Sequence, residues 1–263
     1  MNASDSDILA SLTGRRVALV HDWVTGFRGG EKVLAEIAAL VPDADLYTLV
    51  YVRGSAVPVI ENRRVNPASI NWLPRVSRYY RWLLPTFCGW ADRLDLSDYD
   101  LVLSTSHCVA KGARAPAGAP HVCYCHTPMR YVWDRFDDYF GHHRGLVHYL
   151  IRKEAARLRE WDRKTASRVD QWMANSHFVR ERILEFYGVV PDRVAVVHPP
   201  VVVEHFDVRR RPPVQRDDRY LLVSALGPYT RIDHAVVACA RSGRRLDVAG
   251  TGPEFHRLQE LAR

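Results

Sequence analysis

A chain of 263 residues, 47% hydrophobic and 25% charged, has the composition of an ordinary soluble protein and is long enough for one large domain or two smaller ones. Its opening, MNASDSDILASLTGRR, does not read as a signal peptide, and no run of about 18 apolar residues reads as a spanning helix, so a cytoplasmic protein is predicted. The net charge of +7 and pI near 9.3 predict an anionic partner, and five widely spaced cysteines predict reduced thiols rather than a disulfide framework.

In chain order, Arg16 to Val20 reads as a strand buried on both faces, and Glu31 to Val41 sets Val33, Leu34, Ile37, Leu40 and Val41 on one helical face. Apolar runs follow at Asp45 to Tyr51, Asp100 to Thr105, His121 to Cys125, Gln171 to Ala174 and Arg193 to Val197, with helical patterns at Gly145 to Ser167 and His177 to Tyr187. This alternation predicts an α/β fold, a parallel sheet with helices on both faces. Asn62 to Leu94 interrupts it with prolines, tryptophans and arginines and reads as helical excursions and loops. A polar stretch after His198–Pro200 reads as a linker, and a second alternation follows: strand Tyr220 to Ser224, helix Ile232 to Ala240, strand Leu246 to Ala249, helix from Pro253. The predicted division is a domain over 1–205 and a linker with a partial second domain over 206–263, since two strands are too few for an independent sheet.

Chemistry concentrates in four stretches. In HDWVTGFRGGEKVL (21–34), Gly29 and Gly30 open a helix whose N-terminus suits an anion, and Asp22, Trp23 and Lys32 cluster at the carboxyl end of the first strand, where open sheets bind ligands. The two glycines would serve equally in a tight turn without a ligand. In HVCYCHTPMRYVWD (121–134), His121, Cys123, Cys125 and His126 invite a zinc reading, but strand alternation puts both cysteines on one face without a second ligand pair, and no metal is predicted. The same stretch would deliver His126, Arg130, Tyr131 and Trp133 into a crevice, for hydrogen bonding, anion pairing and stacking on a sugar or base; a structural role for His126 stays open. Arginines interleave with Trp72, Tyr79, Tyr80 and Trp82 between Arg63 and Phe87, which suits an anionic membrane surface or a solvated helix face. In ALGPYTRID (225–233), Arg231 is placed to pair with a phosphate. Dispersed arginines without a recognition motif argue against nucleic acid, and the charge run from Ile151 to Arg168 reads as an exposed helix face.

Taken together, HDWVTGFRGGEKVL, LDLSDYDLVLSTSHCVAKG, HVCYCHTPMRYVWD, WMANSHFVRERILEFYG, VVHPPV, YLLVSALGPYTRIDHAV and VAGTGPE resemble glycosyltransferase family 4 in order and place, from about Arg16 to Arg263. The resemblance implies a GT-B fold, a complete N-terminal Rossmann-like domain followed by an incomplete second one, and retaining transfer of a sugar from a nucleotide diphosphate sugar to a saccharide or lipid-linked acceptor. It implies no cofactor beyond that donor, and work at the inner face of an anionic membrane in polysaccharide biosynthesis. By the same resemblance Gly29, Gly30, Thr230 and Arg231 lie at the donor phosphates and His126 beside the transferred sugar. Asp22, Trp23, Lys32, Arg130 and Tyr131 face acceptor or sugar, and Gly250, Gly252 and Glu254 form the donor-domain turn.

The sequence departs from the family in two places. Thr230 stands where a phosphate-binding lysine is expected, and nothing after Arg263 supplies the paired glutamates that hold the donor. The expectation is therefore a shortened enzyme of impaired activity; the alternatives are a non-catalytic acceptor- or membrane-binding module, or one half of a split enzyme completed by a second chain.

Overall fold

The computed structural model describes residues 12, 14–207, 209 and 218–262. They form two compact units that divide between Val201 and Val202, slightly before the boundary read from the sequence.

The first unit is built on seven parallel strands in the order β3-β2-β1-β4-β5-β6-β7. These are β1 (Val17–Val24), β2 (Asp45–Tyr51), β3 (Val65–Pro67), β4 (Leu101–Ser106), β5 (His121–Cys125), β6 (Gln171–Ala174) and β7 (Val194–Val196). The principal helices are α1 (Gly29–Leu40), α2 (Leu84–Arg93), α3 (Gly145–Thr165) and α4 (His177–Tyr187). Strand β3 is absent from the sequence reading, because three half-buried residues ending in a proline carry no apolar alternation; as an edge strand, β3 tolerates the missing N–H of Pro67. The rest of the interrupted stretch is short helical turns at Ser69–Trp72, Val76–Tyr79 and Tyr80–Leu83 leading into α2.

Alternation along β1 sorts its side chains. Val17 and Leu19 pack with Leu34, Ala35 and Ala38 of α1 in one core layer, while Ala18 and Val20 pack with Leu96, Tyr99, Val102 and Ala110 in another. Each fully buried leucine here contributes roughly 1.5–3 kcal/mol. A third cluster joins Cys123, Cys125, Trp172 and Ala174 to Val179, Ile183 and Tyr187 of α4. Helix α4 is bounded by its own sequence: the Ser176 hydroxyl accepts the Val179 N–H at 3.3 Å, and Gly188 takes the left-handed conformation (φ 65°) that ends it.

The sheet reverses its winding between β1 and β4, where the strand succeeding β1 on one side is β2 and on the other β4. In such sheets the crevice at the carboxyl ends of the strands flanking this switch point is the ligand position.

The second unit holds a two-stranded parallel sheet, β8 (Arg219–Val223) with β9 (Arg245–Ala249), and helices α5 (Ile232–Arg241) and α6 (Phe255–Leu261). Its core is Leu226, Ile232, Val236 and Leu258, and apolar side chains of the sheet, Tyr220, Leu221, Val223 and Val248, remain exposed. The Arg231 backbone is left-handed (φ 49°), a conformation that costs a non-glycine residue about 1–2 kcal/mol. No helix among the described residues is long and apolar enough to cross a membrane.

Candidate functional site

Strand β1 runs four residues beyond the predicted end at Val20, so His21, Asp22 and Trp23 lie in the strand rather than in a turn. Alternation then points His21 to the α1 side and Asp22 to the opposite side. Both are fully buried.

Asp22 is the anchor of the β4 exit. Its Oδ2 accepts the backbone N–H groups of His107 (2.7 Å) and Cys108 (2.9 Å), and its Oδ1 those of Val109 (2.7 Å) and Ala110 (2.8 Å). Burial raises its carboxyl above the usual carboxylate range, against the pull of those N–H donors and of His21. The expectation that Asp22 touches a saccharide is corrected here: every acceptor direction of the carboxylate is taken up in folding the loop 107–110.

His21 pairs in register with Thr105 of β4, and its Nδ1 lies 2.5 Å from the Thr105 hydroxyl. Its Nε2 is buried with no hydrogen-bond partner among the described residues. His126 follows β5; its N–H donates to the Ser106 carbonyl (2.9 Å), and its carbonyl accepts from Asn175 Nδ2 (2.8 Å), just ahead of the α4 cap. His126 Nε2 is likewise buried without a partner. A Cβ on Gly30 would stand 3.7 Å from His126 Nε2 and 3.8 Å from His21 Cε1, so the glycine leaves the two imidazoles facing the first turn of α1.

Helix α1 starts with Arg28 as its cap and Glu31 accepting the Arg28 N–H at 3.1 Å. The first intrahelical bond is Lys32 N–H to the Arg28 carbonyl, which leaves the amides of Gly29 and Gly30 without intrahelical acceptors, beside the positive end of the helix dipole.

The third imidazole is His107. Its Nδ1 lies 3.2 Å from Asp22 Oδ2, its ring meets Trp23 edge-on at 4.4 Å, and it stands 6.1 Å from His126 and 6.2 Å from His21. Burial holds His21 down to about 3, against the opposing pull of the Asp22 carboxylate, and protonation of His107 or His126 would lower it further. Burial and His107 hold His126 at about 3; burial, then Arg130 and Arg81, hold His107 at about 4. All three rings are therefore neutral at pH 7 and act as hydrogen-bond groups, not as cations.

Other predicted residues fall elsewhere. Lys32 is exposed on α1, and Arg130 is exposed after β5, close enough for its charge to act on His107. Tyr131 packs its ring against the core, and its hydroxyl lies 2.8 Å from Cys108 Sγ. Trp133 is not a stacking platform: it lies flat on Phe186 (4.6 Å, 2°) and donates its indole N–H to Asp162 at 2.8 Å. In the second unit the Thr230 hydroxyl donates to the Gly227 carbonyl (2.6 Å), and the Arg231 guanidinium forms a two-pronged pair with Asp233 at 3.0 Å. Gly250 and Gly252 are required by packing, since a Cβ on either would lie within 2.3 Å of the Ser224 or Leu226 carbonyl oxygen; Glu254 pairs with Arg257 at 2.5 Å.

His21, Thr105, His107 and Asn175 were not singled out in the sequence. The signal lay in the strand pattern: residues at the carboxyl ends of β1, β4, β5 and β6 converge whatever their identity, and three of the four ends carry a histidine, His21, His107 and His126.

A buried pair follows directly on the loop held by Asp22. Lys111 Nζ contacts the Asp162 carbonyl (2.6 Å), the Thr165 hydroxyl (3.0 Å) and Asp162 Oδ1 (3.0 Å), and it sits 4.7 Å from the centre of the Tyr187 ring. Asp162 Oδ2 accepts from Tyr187 (2.9 Å) and from Trp133, tying the loop held by Asp22 to α3 and α4.

A parallel sheet with its crevice at the β1/β4 switch point, and helix α1 opening there on a glycine pair, is the doubly wound arrangement that binds ligands at its strand ends. The sequence profile of glycosyltransferase family 4 matches residues 27–205, and the chain belongs to that family. Among solved structures it is similar to HepE of Anabaena, crystallised with UDP (14% identity, TM-score 0.53), covering 94% of this chain and 64% of HepE. It is equally similar to WaaG, a glycosyltransferase involved in lipopolysaccharide biosynthesis (14% identity, TM-score 0.53), covering 94% of this chain and 66% of WaaG. The fold is thus that of GT-B glycosyltransferases, and the chain spans under two thirds of the length of HepE and of WaaG. No curated protein matches the sequence.

Proposed function

We propose that the chain takes part in retaining transfer of a hexose from a nucleotide diphosphate sugar to a saccharide or lipid-linked acceptor, in the building of a polysaccharide. The observation that carries this reading is the pair of unpartnered imidazole nitrogens, His21 Nε2 and His126 Nε2, facing Gly30 at the start of α1. Neutral imidazoles suit sugar hydroxyls, and the amides of Gly29 and Gly30 suit the departing diphosphate. In front-face attack the leaving phosphate accepts the acceptor proton as its bond to the sugar breaks, and the charge gathering on it is met by the helix N-terminus and basic side chains, without a metal in the proposal. His126 would contact the sugar, and Trp23 and Arg130 the acceptor.

Turnover is expected to be slow, because Thr230 spends its hydroxyl on Gly227 and Arg231 its guanidinium on Asp233 rather than holding them toward phosphate. Release of nucleoside diphosphate from a panel of UDP- and GDP-sugars, in the presence of membrane saccharide extract, tests the reading. Slow release that His126→Ala abolishes supports it. No release from any donor favours the non-catalytic acceptor-binding module instead.

The same proposal places the protein at the inner face of an anionic membrane. Trp72 and Trp82 are 86% and 83% exposed, among the exposed Arg75, Arg78 and Arg81. Tryptophan in the headgroup zone and arginine against anionic lipid suit that surface. Binding to phosphatidylglycerol vesicles, lost in a Trp72→Ser/Trp82→Ser variant, is the expected outcome; equal binding by the variant would remove this part. The exposed apolar side chains of β8 and β9 further suggest added polypeptide, from this or a second chain, on that sheet. Hydrogen exchange would then find β8 and β9 amides protected only when that polypeptide is present.

A further inference from the structure

We infer that Tyr80, Arg81, His107 and Arg130 form an acceptor-side subsite for an anionic group, phosphoryl or carboxylate, next to His126. The inference rests on the proposed transfer reaction only in calling that ligand an acceptor.

A row of rings joins the helical excursion to the reaction position. Tyr80 meets Trp23 at 5.0 Å, Trp23 meets His107 at 4.4 Å, and His107 meets His126 at 6.1 Å. The Arg81 guanidinium lies over the Tyr80 ring at 5.5 Å, at the outer end of this row. Two further facts point to a ligand there. Tyr80 is 3% exposed, yet its buried hydroxyl has no hydrogen-bond partner among the described residues, a state that ordinarily costs about 1–3 kcal/mol. His107 is partly open, at 27% side-chain exposure, and two arginines from different elements, Arg130 after β5 and Arg81 from the excursion, bring their positive charge to bear on it. The Trp23 indole touches both Tyr80 and His107 and so holds the two rings in one row.

The subsite is separate from the helix N-terminus. The three nearest atoms to a Cβ on Gly30 belong to His126 and His21, and none to His107, Trp23 or Tyr80. An anion here meets two guanidinium groups, a phenol and His107. Asp22 on β1 engages His107 through Nδ1, which leaves Nε2 as the nitrogen for a ligand; with an anion there, the imidazole takes up a proton and stands as a cation between two negative groups. The charged or titratable neighbours of His107 are Asp22, His21, His126, Arg81 and Arg130. Binding is therefore coupled to proton uptake at His107, which starts from about 4, and tightens as pH falls below about 6.

Histidine side-chain NMR on the 263-residue protein tests this with inorganic phosphate as probe. Phosphate should raise the His107 pKa by about one unit or more. Arg81→Gln and Arg130→Gln should each weaken phosphate binding about tenfold, with unchanged circular dichroism, and saturating UDP should leave the response in place. An unresponsive His107, variants that bind phosphate like the parent, or displacement by UDP would overturn the subsite. Polyprenyl phosphate in phosphatidylcholine vesicles, compared with glucose 6-phosphate, separates a lipid-linked from a soluble source by which one shifts His107 at the lower concentration. A His107 response without any sugar transfer would sink the transfer reading and leave the subsite standing.

Discussion

Asp22 and His107 meet twice: the carboxylate accepts the His107 backbone N–H at 2.7 Å and lies 3.2 Å from its imidazole Nδ1. One buried side chain thus fixes both the loop leaving β4 and the ring that this loop presents. Asp22→Asn replaces one acceptor oxygen by an amide donor facing two backbone N–H groups. The expected loss is about 3 kcal/mol of stability, read as a lowered denaturation midpoint.

Stability should fall in mild acid. His21, His107 and His126 are held at about 3, 4 and 3 in the fold and near 6.5 when unfolded, so between these values the unfolded chain binds more protons. Stability is then complete above pH 6.5 and declines as pH falls, by up to about 1.4 kcal/mol per pH unit for the fully buried His21. Melting temperatures from pH 7.5 to 4.5 check this, and His21→Asn should flatten the slope. A melting temperature that rises on acidification would contradict the assignment.

Gly30 should accept a methyl group without strain, since the nearest side-chain atoms lie 3.7–3.9 Å from the Cβ position. Gly30→Ala is expected to hold or raise stability, by at most about 1 kcal/mol, because alanine is the better helix residue. The same methyl covers His21 and His126. Donor turnover in Gly30→Ala should fall at least about tenfold while thermal stability does not.

Lys111→Met leaves the Asp162 carboxylate buried with its cation gone. Removal of one partner from such a pair costs about 3–5 kcal/mol. Urea titration should show the loss, and Trp133 fluorescence should change with it, because Asp162 also holds the Trp133 indole.

Most of the first sheet was legible in the sequence because strands buried on both faces read as continuous apolar runs: the bounds of β2, β5 and β6 agree to the residue. Strand β3 escaped because its register is set by pairing to β2 and not by its own residues. The site was less legible for a different reason. The polarity of Asp22 suggests a ligand contact, but its partners are backbone amides 85 to 88 positions away, which no local pattern encodes. Trp133 misleads in the same way, since what it faces is decided by α3 and α4. His126 could be picked out because it ends a strand whose apolar run is unmistakable; His21 was hidden inside a strand that proved longer than its apolar run.

The enclosure of Lys111 has a practical consequence. The sequence has four lysines, and the other three, Lys32, Lys153 and Lys164, are exposed. Among the lysines, an amine-reactive reagent will therefore label three at once and reach the fourth only when the loop behind Asp22 lifts away from α3. Mass spectrometry of that single slow acylation would time the opening of that loop, in a protein whose other 33 basic side chains are arginines invisible to the reagent.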